Sequence, residues 1–494
     1  MKFRHGGTVL VSVIVVLMML SSFSSAVDAQ GTGTNTPIKH LVILMMENHS
    51  FDNLFGVYGM TENGTIEKNL SLPENLLTGN LTSNLSSVPN GVFSTSNPYE
   101  GYSNYHTDWN NGHMNGFING SGPSSMTYFT ASQMGPEWMI AQQYAMGDMY
   151  FSEMLSMTLP NRLFSISGFT PLTTDQSPPP YVLYSDTIFS ELDSHGVSWG
   201  YYFQNPSLGE EPLNLVYGIG SHAADIGTWN DFVKSIQSGT LPDITWVSPI
   251  SGGTIEIESQ HPPFNVLIGE LWILYIVHLI MESSYWSSTA IMITYDEGGG
   301  YYDQVAPPVI GGEQLGFRVP FILISPYAKE GYVSHTVMSH TSILGFIDYN
   351  WNMPALNKLV LDSNLPLDMF NFNQPYSTGN IARPPMAWNR SQLALIPNSL
   401  VNSTNKSLNY SNVGDFFPVG LQYPVSDLPY ARSGSSTFNL SQTSSNVYIS
   451  NETGYYPVPA QGFSLSTGVL LGAVAAVAGS SAITAYFIWK RRRL

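Results

Sequence analysis

Residues 38–59, IKHLVILMMENHSFDNLFGVYG, contain an unbroken apolar run of strand length from Leu41 to Met46. Such a run fits a strand buried on both faces, as in a mostly parallel sheet covered by helices. Glu47 and Asn48 stand where that strand should end. Ligands of open α/β sheets gather at the carboxyl ends of strands, so a carboxylate and an amide oxygen there suit a hard cation. A helix cap or turn through Asn48, His49 and Ser50 is the competing use of the same residues.

Residues 289–295, TAIMITY, repeat the pattern, end in Asp296 and Glu297, and turn through Gly298, Gly299 and Gly300. Carboxylates delivered by separate strands repel one another unless a cation lies between them, and glycines let the backbone turn away sharply beside it. One divalent metal ion, its identity open, is the economical explanation. A surface turn rich in acids and glycines is the structural alternative.

Between and beyond these strands, helix and strand patterns alternate, which predicts an α/β domain with a central, mostly parallel sheet. Residues 102–116, YSNYHTDWNNGHMNG, crowd aromatics with His106, Asp108 and His113 without periodicity and read as a loop able to line a pocket. Residues 131–146 have helical spacing. In TLPNR, Thr158 precedes Leu159-Pro160 and then Asn161 and Arg162. A hydroxyl on proline-pinned backbone beside a guanidinium suits phosphoryl transfer, though a capping threonine would account for it equally well. Residues 186–195 read as a helix stopped by Gly196, and 197–203 and 241–247 as strands. EIESQHPPF then brings His261 to a proline-fixed loop. Residues 264–286 are strongly apolar but interrupted by Glu270, His278 and Glu282 at helical intervals, which favours a core helix over a membrane span. Residues 318–325 read as another buried strand, and a helix begins near His340.

The chain ends carry targeting signals. A basic start, the apolar run 8–20 and small residues up to Ala29 describe a secretory leader, residues 1–29. Residues 467–489 form an uncharged run long enough to cross a hydrocarbon layer of about 30 Å, and 490–494 form a basic tail expected to stay in the cytoplasm. Residues 377–466 are rich in Ser, Thr and Asn and read as a glycosylated stalk, leaving 30–376 as the catalytic domain. These features predict a single-pass protein of the cell membrane, with the catalytic domain outside. Glycosylation sequons begin at Asn63, Asn69, Asn80, Asn84, Asn119, Asn389, Asn402, Asn405, Asn409, Asn439 and Asn451, as suits an exported surface.

With no cysteine, an outward-facing chain of this length must draw its stability from a large core or a metal. Asp and Glu number 35 against 17 Lys and Arg, which argues against nucleic acid as a partner. Composition says nothing of oligomeric state.

The motifs MMENHSFDNLFG, WNNGHMNGF, TLPNR, ESQHPP, WSSTAIMITYDEGGGYYDQVAPP, GFRVPFILISPYAKEGYVSH and SHTSILGFI occur in that order over residues 38–354. The series resembles the phosphoesterase family of phosphatidylcholine-type phospholipases C and related acid phosphatases. The resemblance implies a three-layer α/β/α sandwich of alkaline-phosphatase type. It implies that Glu47, Asn48, Asp296 and Glu297 bind the metal, with Thr158 as both metal ligand and nucleophile. His106, His261 and His340 would be the catalytic histidines around the phosphate, and Asn161 and Arg162 would meet the substrate. His49 stands where the family commonly has Arg, and Gln304 follows Asp303 where a His is usual.

The function expected is that of a membrane-anchored phosphoric ester hydrolase of phospholipase C type, acting on a phospholipid or another phosphate ester through a phosphothreonine intermediate. A non-specific acid phosphatase uses the same phosphate-centred site. An inactive surface glycoprotein is the rival from another class, against which the joint presence of Glu47, Asn48, Thr158, His261, Asp296, Glu297 and His340 tells.

Overall fold

The computed structural model describes residues 33–58, 70, 85–131, 133–175, 179–203, 212–249 and 258–373. The leader, Glu256, the stalk, the 467–489 span and the basic tail lie outside the described residues. Among the described residues, eight strands form one large sheet. In chain order these are β1 (His40–Met46), β2 (Ala145–Gly147), β3 (Trp199–Phe203), β4 (Ile226–Thr228), β5 (Ile244–Val247), β6 (Thr289–Tyr295), β7 (Phe321–Ile324) and β8 (Tyr332–Ser334). Their spatial order is β8-β2-β7-β6-β1-β5-β3-β4. β7 runs antiparallel to both its neighbours, and the remaining pairs are parallel, so the sheet is mixed.

β1 and β6 lie at the centre, each between two paired neighbours. From Leu41 to Met46 and from Thr289 to Tyr295 every residue is buried, whichever way it points. The alternation of side chains across a strand therefore means that both faces are covered. At about 1.5–3 kcal/mol for each large apolar side chain buried, the six apolar residues of β1 alone contribute on the order of 10 kcal/mol before entropy is set against them.

The covering helices are α1 (Phe51–Phe55), α2 (Tyr102–Trp109), α3 (Gly135–Gln143), α4 (Thr158–Ser167), α5 (Ile188–His195), α6 (Trp229–Ser238), α7 (Val266–Met281) and α8 (His340–Asn350). Six of them form two packed groups, α4 with α5 and α8, and α7 with α3 and α6. Their ends follow local chemistry. Ser50 caps α1 through the Asn53 N–H, Asn265 caps α7 through the Leu267 N–H, and Gly196 ends α5 in the left-handed conformation.

The strands and the helix stop at Gly196 fall where hydrophobic runs predict them, but two segments differ. Residues 102–116 were expected to be a loop, yet 102–109 form α2, whose Tyr105 and Asp108 are buried three positions apart. Tertiary contacts at that spacing outweigh the weak helix propensity of Ser, Asn, His, Thr and Asp. Residues 131–146 were expected as one helix. α3 instead stops at Gln143, and Ala145–Gly147 turns into β2, held between β7 and β8. The apolar 264–286 segment gives the sixteen-residue core helix α7, and no helix among the described residues is long and apolar enough to cross a membrane.

Candidate active site

The register of the two central strands builds the site. Met46 pairs with Tyr295, so β1 and β6 end together and release Glu47 and Asp296 side by side at a strand spacing of about 4.8 Å. All four residues at the two strand ends, Glu47, Asn48, Asp296 and Glu297, are buried. Asp296 Oδ1 accepts from the backbone N–H groups of Asn48 (3.2 Å) and Glu297 (2.8 Å), which stitches the two turns together. Glu297 Oε2 accepts from the Tyr105 hydroxyl (2.7 Å) and the Gly299 N–H (2.6 Å). Its Oε1 is buried without a hydrogen-bond partner among the described residues. Burial first, then the nearby charges of Glu100 and Asp296, push the Glu297 carboxyl well above the usual range.

Asn48 occupies the left-handed region at φ 59°, which asparagine tolerates better than most residues. Gly299, at φ 63°, packs so closely beneath it that a Cβ there would meet the Asn48 carbonyl oxygen at 2.0 Å. The Gly run thus acts as a close backbone support for the metal-ligand candidate Asn48. The Asn48 amide faces two ways. Its Oδ1 accepts from the Thr158 hydroxyl at 3.5 Å, and its Nδ2 donates to Glu100 Oε1 at 3.0 Å.

Thr158 is the first residue of the ten-residue α4, buried at the end of the helix where the dipole favours negative charge. The two residues after Pro160 have a different task from the one expected of them. Asn161 Oδ1 accepts from the Glu153 and Met154 N–H groups, and its Nδ2 donates to the carbonyls of Met154, Ser156 and Met157. Its hydrogen-bonding capacity is spent clamping the loop that presents Thr158. Arg162 is 1% exposed. Its Nε donates to Asp296 Oδ2 at 2.8 Å, its Nη2 donates to the carbonyls of Met45 and Met46, and it lies 3.7 Å from Glu47 Oε1. Asn161 and Arg162, expected to meet the substrate, serve here as internal braces, and the Arg162 guanidinium lies against both acidic strand ends.

The three expected histidines also separate. His261 is partly exposed, with Nδ1 against the Pro262 carbonyl at 2.6 Å and Nε2 3.9 Å from Glu100 Oε1. With Nδ1 held at that carbonyl, Nε2 is the ring nitrogen turned toward Glu100. His340 is fully buried, with Nε2 on the Asp296 carbonyl (2.8 Å) and Nδ1 on the Tyr150 hydroxyl (3.1 Å). Burial lowers its pKa to about 4. Both its nitrogens are engaged, and through Nε2 His340 braces the backbone of Asp296. His106 turns Nδ1 back to the Tyr102 carbonyl and rests its ring against Tyr102 and Trp109. The side chain of α2 that bonds the acidic cluster is Tyr105.

Sequence reasoning missed Glu100 and Tyr105. Glu100 lies at the end of a stretch whose Gly, Pro and sequon content reads as exposed, and Tyr105 is one of several aromatics in a window without periodicity. A helical reading of 102–109 would have put Tyr105 and Asp108 on one inward face.

The carboxylates of Glu47, Asp296 and Glu297, the Asn48 amide oxygen and the Thr158 hydroxyl form an all-oxygen donor set, and the buried orphan Oε1 of Glu297 fits a cation-binding role. Among the described residues no group of three His, Asp or Glu side chains converges as a ready-made cage. Asp296 Oδ2 and Glu297 Oε2 are turned instead to Arg162 and Tyr105. The donor types fit a hard divalent ion, given rotation of these two carboxylates.

The chain is similar to several known proteins. The model of the Phosphoesterase family matches residues 38–354. Phospholipase C A of Mycobacterium tuberculosis is 26% identical over 76% of this chain and 86% of its own length. Non-specific phospholipase C6 of Arabidopsis thaliana is 29% identical, over 62% of this chain and 65% of its own. A protein in the alkaline phosphatase superfamily from Vibrio parahaemolyticus aligns over 67% of this chain and 71% of its own at 10% identity, with a TM-score of 0.35. With its family motifs gathered around the paired ends of β1 and β6, the chain belongs to the phosphoesterase family and is a phosphoric ester hydrolase.

Proposed function

We propose that the protein is a metal-dependent hydrolase of phospholipase C type that uses Thr158 as its nucleophile. One observation carries this reading: the Thr158 hydroxyl, at the start of α4, bonds Asn48 beside the joined acidic ends of β1 and β6. The names of the relatives, phospholipases C from bacteria and a plant, support the choice of a phosphodiester substrate with a lipid leaving group.

Glu47, Asn48, Thr158, Asp296 and Glu297 would hold one divalent cation, which when bound supplies positive charge to a phosphate oxygen and to the nucleophilic oxygen. Thr158 would give its hydroxyl proton to bulk water before the reaction, so that Oγ1 attacks phosphorus in line as the alkoxide, forming the Thr158 O–P bond as the bond to the leaving alkoxide breaks, and departs again as the alkoxide in the second step. His261 Nε2, at the partly open side of the site, hands its proton to that alkoxide. Water then cleaves the phosphothreonine diester, giving up a proton to the same nitrogen and releasing the phosphorylated head group. Arg162, Asn161 and His340 keep Asp296 and the Thr158 loop fixed throughout. The leader, the outward orientation and the anchor at 467–489 complete the proposal and rest on the sequence.

The test is hydrolysis of p-nitrophenylphosphorylcholine and of p-nitrophenyl phosphate by the full chain in detergent, with and without chelator, beside Thr158→Ala. The expected outcome is turnover of the choline diester that chelation abolishes. Thr158→Ala should stay folded and lose about three orders of magnitude or more in kcat, and a phosphocholine adduct is expected by mass spectrometry on the Thr158 peptide of the quenched wild type but not of the variant. Turnover of the monoester alone would make the protein a phosphatase. Full activity in Thr158→Ala would end the nucleophile assignment.

A further inference from the structure

We propose that Glu100 is a positioning residue of the hydrolytic site, whose Oε1 orients the Asn48 amide and the His261 ring together; this rests on the reading of Asn48 and His261 under Proposed function. The geometry is specific. Oε1 accepts from Asn48 Nδ2 at 3.0 Å and lies 3.9 Å from His261 Nε2. The side chain is only 13% exposed. An amide has one donor end and one acceptor end, and its two orientations occupy almost the same volume. Toward the Asn48 Nδ2, Oε1 of Glu100 can only accept, so it selects the orientation in which Oδ1 points at the Thr158 hydroxyl. In the opposite orientation Nδ2 would face that hydroxyl, and a cation-binding oxygen would be lost. The same carboxyl also gives the free Nε2 of His261 a direction, since Nδ1 is already tied to the Pro262 carbonyl.

The backbone that carries Glu100 is built to hold it there. The Tyr99 N–H donates to the Ser121 carbonyl at 2.9 Å. The Ser121 N–H in turn donates to the buried Asp108 Oδ1 at 3.0 Å. Gly300 makes room on the other side, because a Cβ there would meet the Tyr99 carbonyl oxygen at 3.0 Å and Ser121 Oγ at 2.6 Å. Gly101 follows Glu100 at φ 139°, a conformation that lets α2 begin immediately. The glycine turn after β6 therefore supports the two residues that face each other across the site, Asn48 through Gly299 and Glu100 through Gly300.

Reach and charge can be separated. Glu100→Gln keeps the length and an acceptor oxygen for Asn48 but removes the charge, whereas Glu100→Asp keeps the charge and withdraws it by one methylene. Mn²⁺ binding to the full chain, followed by electron paramagnetic resonance of the free ion without substrate, reads the Asn48 orientation. Outer hydrogen-bond partners of metal ligands typically govern affinity by about 10–100-fold. The expected result is an at least tenfold weaker Mn²⁺ affinity in Glu100→Asp and a change under threefold in Glu100→Gln, with kcat falling in both and KM moving less. The reverse order, Glu100→Gln weak and Glu100→Asp near wild type, would mean that bare charge matters and would overturn the proposal. Wild-type affinity and kcat in both variants would overturn it as well. Should the wild-type chain bind no Mn²⁺ and cleave neither ester, the metal-dependent reading itself fails and this one with it.

Discussion

Replacing Arg162 by alanine separates a brace from a substrate contact. The guanidinium is almost completely buried, bonds Asp296 Oδ2 at 2.8 Å, donates to the last two carbonyls of β1 and lies 3.7 Å from Glu47. Breaking a buried ion pair by removing one partner costs about 3–5 kcal/mol, because the remaining charge stays in place without compensation. Water entering the vacated space can recover the carbonyls, so a loss of about 4 kcal/mol is expected. At roughly 2.1 cal/mol/K of unfolding entropy per residue, a domain of about 340 residues melts near 6 °C lower for that loss. Arg162→Lys keeps the charge but not the fork, and about half the effect is expected. The assay is thermal and urea unfolding of the full chain at pH 7 in chelator, repeated with Mn²⁺ or Ca²⁺. If Glu47 and Asp296 need a positive charge between them, the added ion should recover part of the loss in Arg162→Ala. A variant that unfolds like the wild type while KM rises at least tenfold would refute the reasoning and restore Arg162 as a substrate ligand.

Further outcomes follow from the same structure. Glu153 is buried against the Thr341 N–H and hydroxyl, and burial raises its carboxyl from 4.5 to about 7. The native state thus holds a proton that the unfolded chain releases above 4.5, so the stability it gives is full below pH 4.5 and lost as pH rises through 7. Glu153→Gln should flatten that fall and gain about 3 kcal/mol relative to wild type by pH 8, read as urea midpoints across pH. Gly299→Ala drives a methyl into the Asn48 carbonyl and should cost at least about 3 kcal/mol, with a marked loss of Mn²⁺ affinity by titration. Arg318→Met alone should destabilise by about 3–5 kcal/mol, and adding Asp52→Asn and Asp303→Asn should recover most of the stability without recovering kcat.

Both acidic strand ends were legible in the sequence because two physical signals coincide there. An apolar run of strand length must stop where a carboxylate begins, and β6 stops at Tyr295 as its pattern predicts. Thr158 was less legible. Its buried place depends on how α4 meets Asn48, a contact spanning 110 positions that no local pattern encodes. The bracing contacts of Arg162 and Asn161 were not legible for a related reason. An arginine beside a hydroxyl advertises phosphate, and only the fold reveals that carbonyls and a carboxylate already occupy its donors. His340 shows the limit of residue type as evidence, since only the fold reveals that both its ring nitrogens are engaged. Glu100 lay hidden because sequence composition describes the segment before it and says nothing about which single side chain turns inward.

The two buried arginines explain why the catalytic end of the sheet can be assembled from such distant parts. Arg162 lies between the end of β1 and the end of β6, and Arg318 bonds Asp52 of α1 and Asp303 beyond the glycine turn. Asp52 and Asp303 are 251 positions apart. Each guanidinium therefore closes a long chain loop at the place where ångström-level registration matters. Hydrophobic residues of equal volume would stabilise these contacts as well or better, but they would fix no direction. A planar fork fixes the angle as well as the distance of the carboxylates it meets. Burial and the like charge of Asp303 nonetheless raise Asp52 to about 7, so this brace carries a cost in a chain with only 17 basic residues. Burying two of them, one against Glu47 and Asp296 and one against Asp52 and Asp303, suits a site whose rate depends on preorganised geometry more than on the stability of its scaffold.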